Sequence, residues 1–444
     1  MFWEQKIEYA VLSDIGFRRK NNQDAYVVQI ASDREHWDSG GHLFMVADGM
    51  GGHAVGELAS KIAVNTVPHT FHKMNGKEIE ERLKGALEAA NAAINERGEQ
   101  NHEFSRMGTT CSTLLLSSRG AHIGHVGDSR VYRIRGDRIE QLTFDHSLQW
   151  ELLKQGTMSA EEIYLREPRN VITRSLGPEP SVQVDIEGPY QVRGRDIYVL
   201  CSDGLSTMVS DEEVGIITRE LPPKLACQLL VNLANLRGGS DNITVAVVRV
   251  GEAPPELKTQ SAEMDTPPAE SGTGWGWLAA FATLGLGLVS GFALTVLGTM
   301  RSEMLAPGIA VETISILGFG ALCLFWMRTR RQQKHAPTLA EIPPGTPYRT
   351  SSAQLTKEFI GNITNLETSL QRTAQEENWK VDWELHAKSY QSARNALATQ
   401  KPSAALPAYA RAIHVLVEGM LLQRKQRDLA TRWGLKVGDD PESN

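Results

Sequence analysis

The chain holds 444 residues, more than one ordinary domain accommodates, so two or three units are expected. With 41% hydrophobic and 22% charged residues it can bury a sizeable core, which excludes a wholly disordered or collagen-like chain. A formal charge of −7 speaks against nucleic acid as the main ligand, because a phosphate backbone needs a basic surface.

The first segment, MFWEQKIEYAVLSD, has no apolar core of signal-peptide length, so this end is expected to stay unexported. Residues 1–250 read as one globular block: three strand-like runs, a helical stretch over 55–97, a strand meander over 112–143, then mixed elements. Strands in runs, rather than alternating with helices, indicate the α+β class. Cys111, Cys201, Cys227 and Cys323 lie far apart in apolar company, with no C-x-x-C pair. They are expected as small buried hydrophobes, not as disulfides or zinc ligands. Arg135-Gly136-Asp137 falls between two strand-like runs and is read as a hairpin turn rather than an adhesion motif.

Residues 251–274 carry four prolines, five acids and one lysine, a linker composition. Two apolar runs follow. Residues 275–300 are free of charge for 26 residues, beyond the roughly 20 that a helix needs to cross a bilayer core. Residues 308–327 hold only Glu312, close enough to one end to reach the interface. The short connection RSEMLAP makes a two-helix transmembrane hairpin over 275–327 the expectation. Arg328, Arg330, Arg331 and Lys334 stand directly after it, against Arg301 in the turn. By the positive-inside rule both flanks are expected on the cytoplasmic side of the inner membrane. A basic, then Pro-rich linker (328–350) precedes an expected small all-α tail domain, 351–436. Its segment YQSARNALATQKPSAALPAYARAI resembles one tetratricopeptide helix pair. A plain helical bundle is the preferred reading and a tetratricopeptide pair the alternative, since such arrays bury their faces through three or more repeats. A protein partner of unspecified kind is expected for this tail.

The chemistry lies in the acids of the first block. Asp48 ends the apolar run LFMVAD and precedes Gly49; Asp203 ends DIYVLCSD and precedes Gly204. Asp128 ends HIGHVGD, and Asp241 opens DNITVAVVRV. Acids at the mouths of β-type runs, with glycine letting the backbone approach closely, would form a carboxylate-lined cleft once a sheet gathers the strand ends. An all-oxygen cluster selects hard cations such as Mg²⁺ or Mn²⁺ over zinc.

These residues resemble the metal-dependent type 2C (PPM) serine/threonine protein phosphatases, bacterial branch. The resemblance runs through SDIGFRRKNNQDAY (13–26), FMVADGMGGHAVGELAS (44–60), MGTTCSTLLL (107–116), GHVGDSRVYRIRGDRIEQLTFDHS (124–147), LCSDGL (200–205) and GGSDNITVAVV (238–248). It implies a central antiparallel β-sandwich flanked by helices. It also implies that Asp48 bridges two Mn²⁺ or Mg²⁺ ions, with the Gly49 carbonyl on one and Asp203 and Asp241 on the other. Asp128, with Asp203, would form a third and looser site. Arg19 matches the arginine that grips the substrate phosphate, a task suited to a guanidinium's parallel donors. Asp24 would order metal-bound waters, and Gln23, where many relatives have glutamate, weakens one water-mediated contact. Met50 stands where animal and yeast members carry a histidine proposed as general acid. His53 in DGMGGH follows the bacterial pattern, either donating a proton to the leaving oxygen or only ordering the loop. His146 is read as a structural strand-end residue, and residues 148–196 correspond to a mobile flap that helps choose substrates.

The implied function is a membrane-anchored phosphatase that hydrolyses phosphoserine and phosphothreonine esters by in-line attack of a water activated between two metal ions. Its partners would be phosphorylated proteins, a serine/threonine kinase among them. No cysteine is followed six residues later by arginine and no G-D-x-H-G occurs, which removes two other phosphatase classes. The alternative is a catalytically silent membrane scaffold, for which loss of a metal acid would be the mark; none is lost.

Overall fold

The computed structural model describes residues 7–433 apart from 53–54, 105, 157–161, 164–165, 169–170, 253–272, 300–304 and 334–345. It divides into two compact units, one built from residues 1–253 and 342–444, the other from 254–341.

The first unit is a sandwich of two sheets. One runs β1 (Ile7–Asp14), β11 (Ile243–Val250), β10 (Ile197–Cys201), β7 (Arg130–Arg135), β8 (Arg138–Gln141) and β12 (Arg349–Ser352). The other runs β2 (Asp24–Gln29), β3 (His42–Met50), β5 (Cys111–Ser117), β6 (Gly120–Val126) and β9 (Asp185–Tyr190), with β4 (Gly108–Thr109) beside the end of β3. Among the described residues every strand pair is antiparallel. Successive side chains point to opposite faces, so Phe44 and Val46 of β3 meet Tyr198 and Leu200 of β10 and Ala246 and Val248 of β11 between the sheets. Their neighbours Leu43, Met45 and Ala47 face outward into a helix layer. Full burial of each such aliphatic side chain is worth about 1.5–3 kcal/mol.

That outer layer is α2 (Val55–Lys73) and α3 (Ile79–Glu99), following the short α1 (Arg34–Gly40). Ala59, Ala63, Val67 and Phe71, then Leu83, Leu87, Ala90 and Ile94, recur at helical spacing and are buried against the sheet. The other sheet is covered by α6 (Asp211–Glu220) and α7 (Pro223–Leu236), after α4 (Leu148–Gln155) and the one-turn α5 (Asp203–Ser206). Ser210 and Glu213 close a reciprocal capping box that starts α6. Arg135-Gly136-Asp137 is the β7–β8 hairpin turn, with Gly136 at φ 58°. Cys111, Cys201 and Cys227 are buried, and burial pushes their thiols up to about 12; Cys323 is partly exposed.

The tail, expected as a small all-α domain over 351–436, is helical after one short strand. It belongs to the same compact unit as the sandwich. Residues 349–352, partly assigned to a linker, form β12 and pair with β8 from Arg349 opposite Gln141 to Ser352 opposite Arg138. Three helices follow, α10 (Lys357–Glu376), α11 (Trp383–Ala398) and α12 (Pro402–Trp433). Tyr409, Ile413 and Leu416 of α12 share one core with Leu229, Leu230 and Leu233 of α7. His414 reaches Gln228 and Asn232 of α7 at 3.2 and 3.4 Å. The reason is apolar area: the tail's helices have an apolar face that one helix pair cannot cover, and the helix layer of the sandwich supplies the cover. Pro402 stands at the start of α12, where the missing N–H costs nothing.

The second unit holds two apolar helices, α8 (Thr273–Gly298) and α9 (Leu305–Gln333). They approach closely, since a Cβ on Gly287 would lie 2.5 Å from Ser315 Oγ. Leu286, Val289, Phe292, Ile314 and Leu317 are all more than half exposed. Among the described residues, Pro402–Arg427, with mean hydropathy 1.3, is the one helix long and apolar enough to cross a membrane, and most of it is buried in the first unit. The apolar stretches described in the hairpin are shorter, Gly285–Leu297 and Ile309–Cys323.

Candidate active site

The strand ends deliver the acids to one end of the sandwich. Asp24 opens β2 and lies in register opposite Asp48 on β3. Asp128 follows Gly127 just past β6, Asp203 opens α5 directly after β10, and Asp241 precedes β11. Two glycines make the close approach possible. A Cβ on Gly49 would stand 2.0 Å from the Gly56 carbonyl, and one on Gly204 would stand 2.0 Å from the Asn242 carbonyl.

Neutral groups hold the backbone in place. The Asp48 N–H donates to Thr110 Oγ1 at 2.9 Å, and Thr109 Oγ1 donates to the Asp48 carbonyl at 2.9 Å. Ser202 Oγ donates to Asp24 Oδ2 at 2.8 Å. Asn242 clamps three segments: its Oδ1 accepts from the Gln23 N–H at 2.8 Å, and its amide donates to Ile15 and Asn21 carbonyls at 2.9 and 3.0 Å. Arg19 is the cation across from the acids, with Nη2 2.7 Å from Asp241 Oδ2 and its own side chain 46% exposed.

The electrostatics are unusual for carboxylates. Burial pushes Asp24 up to about 7, against hydrogen bonds from Thr244 and Ser202 and with Asp203 and Asp241 adding to the rise. Burial likewise raises Asp48 and Asp128 well above the ordinary carboxylate range, with Asp24, Asp203, Asp128 and Asp241 adding to it at Asp48. Asp203 is raised by burial and then by Asp241. Asp24 Oδ1, Asp128 Oδ1 and Asp203 Oδ1 are buried without a hydrogen-bond partner. Buried carboxylate oxygens without donors are costly unless cations offset them, so the donor set suits hard divalent ions. Among the described residues no three acids, histidines or cysteines close around a single point. The convergence is therefore an electrostatic one, of charges sensing each other, rather than a finished coordination shell.

A cleft of about 520 Å³ opens beside Asp128 and Asp203. Arg130 and Asp145 line it as an ion pair at 2.7 Å, Trp150 packs behind, and Arg349 of β12 lies 4.8 Å from the centre of its ring. His146 is buried and structural: its Nδ1 accepts from the Gly127 N–H at 2.9 Å and its Nε2 meets Asp185 at 2.9 Å. Gln23 is buried and donates to the Gly51 carbonyl at 3.2 Å. His53 lies outside the described residues. Asn242, Thr110, Ser202 and the Arg130–Asp145 pair went unread in the sequence, although each sits inside or beside a quoted motif. The contacts of Asn242, Thr110 and Ser202 join positions far apart along the chain, and that of Arg130 with Asp145 crosses between β7 and the segment after β8, which no spacing rule reveals.

Residues 18–227 match the protein phosphatase 2C family profile. Protein phosphatase PhpP of Streptococcus pneumoniae is 38% identical over 252 residues, which is 55% of this chain and 98% of PhpP. The solved structure of the serine/threonine phosphatase PstP/Ppp of Mycobacterium tuberculosis aligns with TM-score 0.50 at 32% identity, covering 55% of this chain and 99% of that one. The serine/threonine phosphatase of S. agalactiae aligns with TM-score 0.50 at 36% identity, covering 55% and 100%. The chain belongs to the protein phosphatase 2C family, the serine/threonine class of protein phosphatases. PhpP is matched almost end to end by little more than half of this chain, which therefore carries segments that PhpP lacks.

Proposed function

We propose that the enzyme removes phosphate from phosphoserine and phosphothreonine of proteins with Asp48, Gly49, Asp203 and Asp241 as the principal holders of Mn²⁺ or Mg²⁺, Asp128 as a further ligand and Asp24 behind them. The observation that carries this is five carboxylates converging at one end of the sandwich, three with unpartnered buried oxygens, opposite Arg19. Bound there, divalent cations would offset the acids, make water more acidic and attract phosphate oxygens. Arg19 is exposed enough to leave Asp241 for a phosphate, which its planar donors fit better than a single carboxylate oxygen. Ser202 keeps Asp24 turned inward, and the clamp of Asn242 fixes the loop bearing Arg19 relative to β2 and β11. Cys111, Cys201 and Cys227 are unsuited as nucleophiles, since burial keeps their thiols protonated, which favours water as the attacking group. His53 is the proton donor to the leaving oxygen or a loop-ordering residue, and its replacement by alanine distinguishes these by the pH profile of kcat.

The test is phosphate release from a phosphothreonine peptide by the full chain, with Mn²⁺, with EDTA, and with Asp48→Asn. Activity that requires metal and is lost in the variant is the expected result. A full rate in EDTA would remove metals from the reading, and inactivity at saturating Mn²⁺ would favour the silent scaffold.

Membrane anchoring by the two apolar helices is part of the same proposal. It is supported by their exposed apolar side chains and by the flanking arginines. It is supported too by chain connectivity: segments on both sides of the hairpin belong to one compact unit, so both must emerge on the same side of a bilayer. An even number of crossings satisfies that, and a single crossing does not. Sedimentation with the membrane fraction after carbonate washing, abolished by deleting 275–327, is the expected outcome. A soluble full chain would overturn it.

A further inference from the structure

The tail reaches the loop that carries Arg19. The loop leaves β1 at Asp14, whose carboxylate accepts from the Gly16 N–H at 2.8 Å and from the Asn235 amide at 3.0 Å. The Phe17 and Arg18 N–H groups both donate to the Gly239 carbonyl, at 2.8 and 3.1 Å. Those bonds tie down the inner side of the loop. The outer side is held from α12, where the Arg424 guanidinium lies 4.6 Å from the Phe17 ring centre and donates to the Phe17 carbonyl. Two residues further on, Arg19 meets Asp241. The helix that brings Arg424 is itself seated on α7 through His414, and Asn235, which binds Asp14, lies less than a turn beyond Asn232 on that helix.

Arg19 needs such support. A half-exposed arginine with one ion pair is held weakly by that pair alone. A phosphate contact works only if the guanidinium is already near its place, since a displacement of about 1 Å can cost orders of magnitude in rate. A cation stacked on Phe17 and bonded to its carbonyl fixes the backbone two residues before the functional side chain. The tail is present at a second side of the site as well, where Arg349 and Ser351 of β12 line the cleft beside Asp128 and Asp203.

We propose that Arg424 is a positioning residue for the phosphatase reaction, acting on phosphate recognition through Phe17 and Arg19, so that the C-terminal tail is a working part of the catalytic unit. This rests on the reading of Arg19 as the phosphate grip. The experiment measures KM, kcat and inhibition by inorganic phosphate on the full chain with a phosphothreonine peptide at saturating Mn²⁺. The variants are Arg19→Ala, Arg424→Ala, Arg424→Lys, Phe17→Leu and the Arg19→Ala/Arg424→Ala double. Arg424→Ala is expected to raise KM and weaken phosphate inhibition by roughly three- to tenfold while kcat changes little, and Arg424→Lys is expected to recover most of the loss. In the double variant the Arg424 change is expected to add nothing to the Arg19 loss. Additive losses overturn the inference. So do wild-type KM and phosphate inhibition in both Arg424→Ala and Phe17→Leu beside an impaired Arg19→Ala, which leaves the reading of Arg19 standing. Arg19→Ala with wild-type behaviour overturns that reading itself. Thermal melting separates lost grip from lost fold, and should Arg424→Ala fail to fold, Phe17→Leu decides: a raised KM with weaker phosphate inhibition supports the inference and wild-type values overturn it.

Discussion

At the end of the sandwich where β10 begins, Asp196 is 1% exposed and completely partnered. Arg135 donates to its two oxygens at 2.8 and 2.7 Å, and the Arg193 N–H donates to it at 2.7 Å. Where the same strand runs out, Asp203 keeps a buried oxygen with no donor, and Asp24 and Asp128 beside it do the same. One fold thus treats buried carboxylates in two ways. At the first end it satisfies the charge from within, as structural acids require. At the second it gathers acids that raise each other's pKa, an arrangement that favours folding less than it favours binding positive charge from outside.

The largest expected effect that tests this contrast is Asp203→Asn. It should lower kcat/KM by at least about a hundredfold and leave the melting temperature unchanged or higher, because one crowded carboxylate is gone. Retained activity with a fall in melting temperature would break the contrast. Asp196→Ala should do the reverse. Removing one partner of a buried pair costs about 3 kcal/mol in urea unfolding, with phosphatase activity per folded molecule unchanged.

A smaller effect comes from His125, which lies between the two regimes. Its Nδ1 meets Ser112 Oγ at 2.9 Å and its Nε2 the Phe144 carbonyl at 2.8 Å, while burial, with His146 beside it, holds the imidazole down to about 3. The unfolded chain takes up a proton near pH 6.5 that the fold refuses until far lower, so the unfolded state binds more protons throughout that window. The contribution of His125 to stability is therefore full above about pH 6.5 and should fall as the pH drops, by up to about 1.4 kcal/mol per pH unit. Asp24, Asp48 and Asp128 pull the other way in this window, because their raised pKa lets the fold hold protons that unfolded carboxylates release. The His125 share is therefore the difference between wild type and His125→Gln in urea midpoints from pH 7.5 to 5, a gap expected to shift in favour of His125→Gln as the pH falls. The smallest effect is expected at Arg195, whose pair with Glu252 is mostly exposed at 75% and 63%. Arg195→Ala should cost less than about 1 kcal/mol, although it lies one residue from Asp196. A larger loss would show that burial is not what separates these two pairs.

The sandwich was legible because its central strands are short apolar runs buried on both faces, and the acids because each sits where such a run stops or starts. Both are local signals. The expected helical stretch over 55–97 divides into α2 and α3 around residues 74–78, and the meander appears as β5 to β8. What stayed hidden is long-range. The strand RTSS has no apolar alternation and joins the sheet by backbone bonds to β8, which sequence pattern does not record. The seat of α12 on α7 depends on two surfaces that each read as ordinary amphipathic faces. The donors to Asp196 and Asp24 come from positions whose side chains are individually commonplace.

Strand β12 has a further consequence, for the covalent path rather than for chemistry. The backbone leaves the sandwich after β11 and re-enters it at β12, so the intervening chain, with its two apolar helices, is a loop closed by the β8–β12 ladder. Closing so long a loop costs only slightly more entropy than closing one half its length, about 0.6 kcal/mol. A protease that nicks the loop would therefore leave the two pieces associated, and residues 342–444 supplied as a separate polypeptide should find residues 1–253 and complete the sheet.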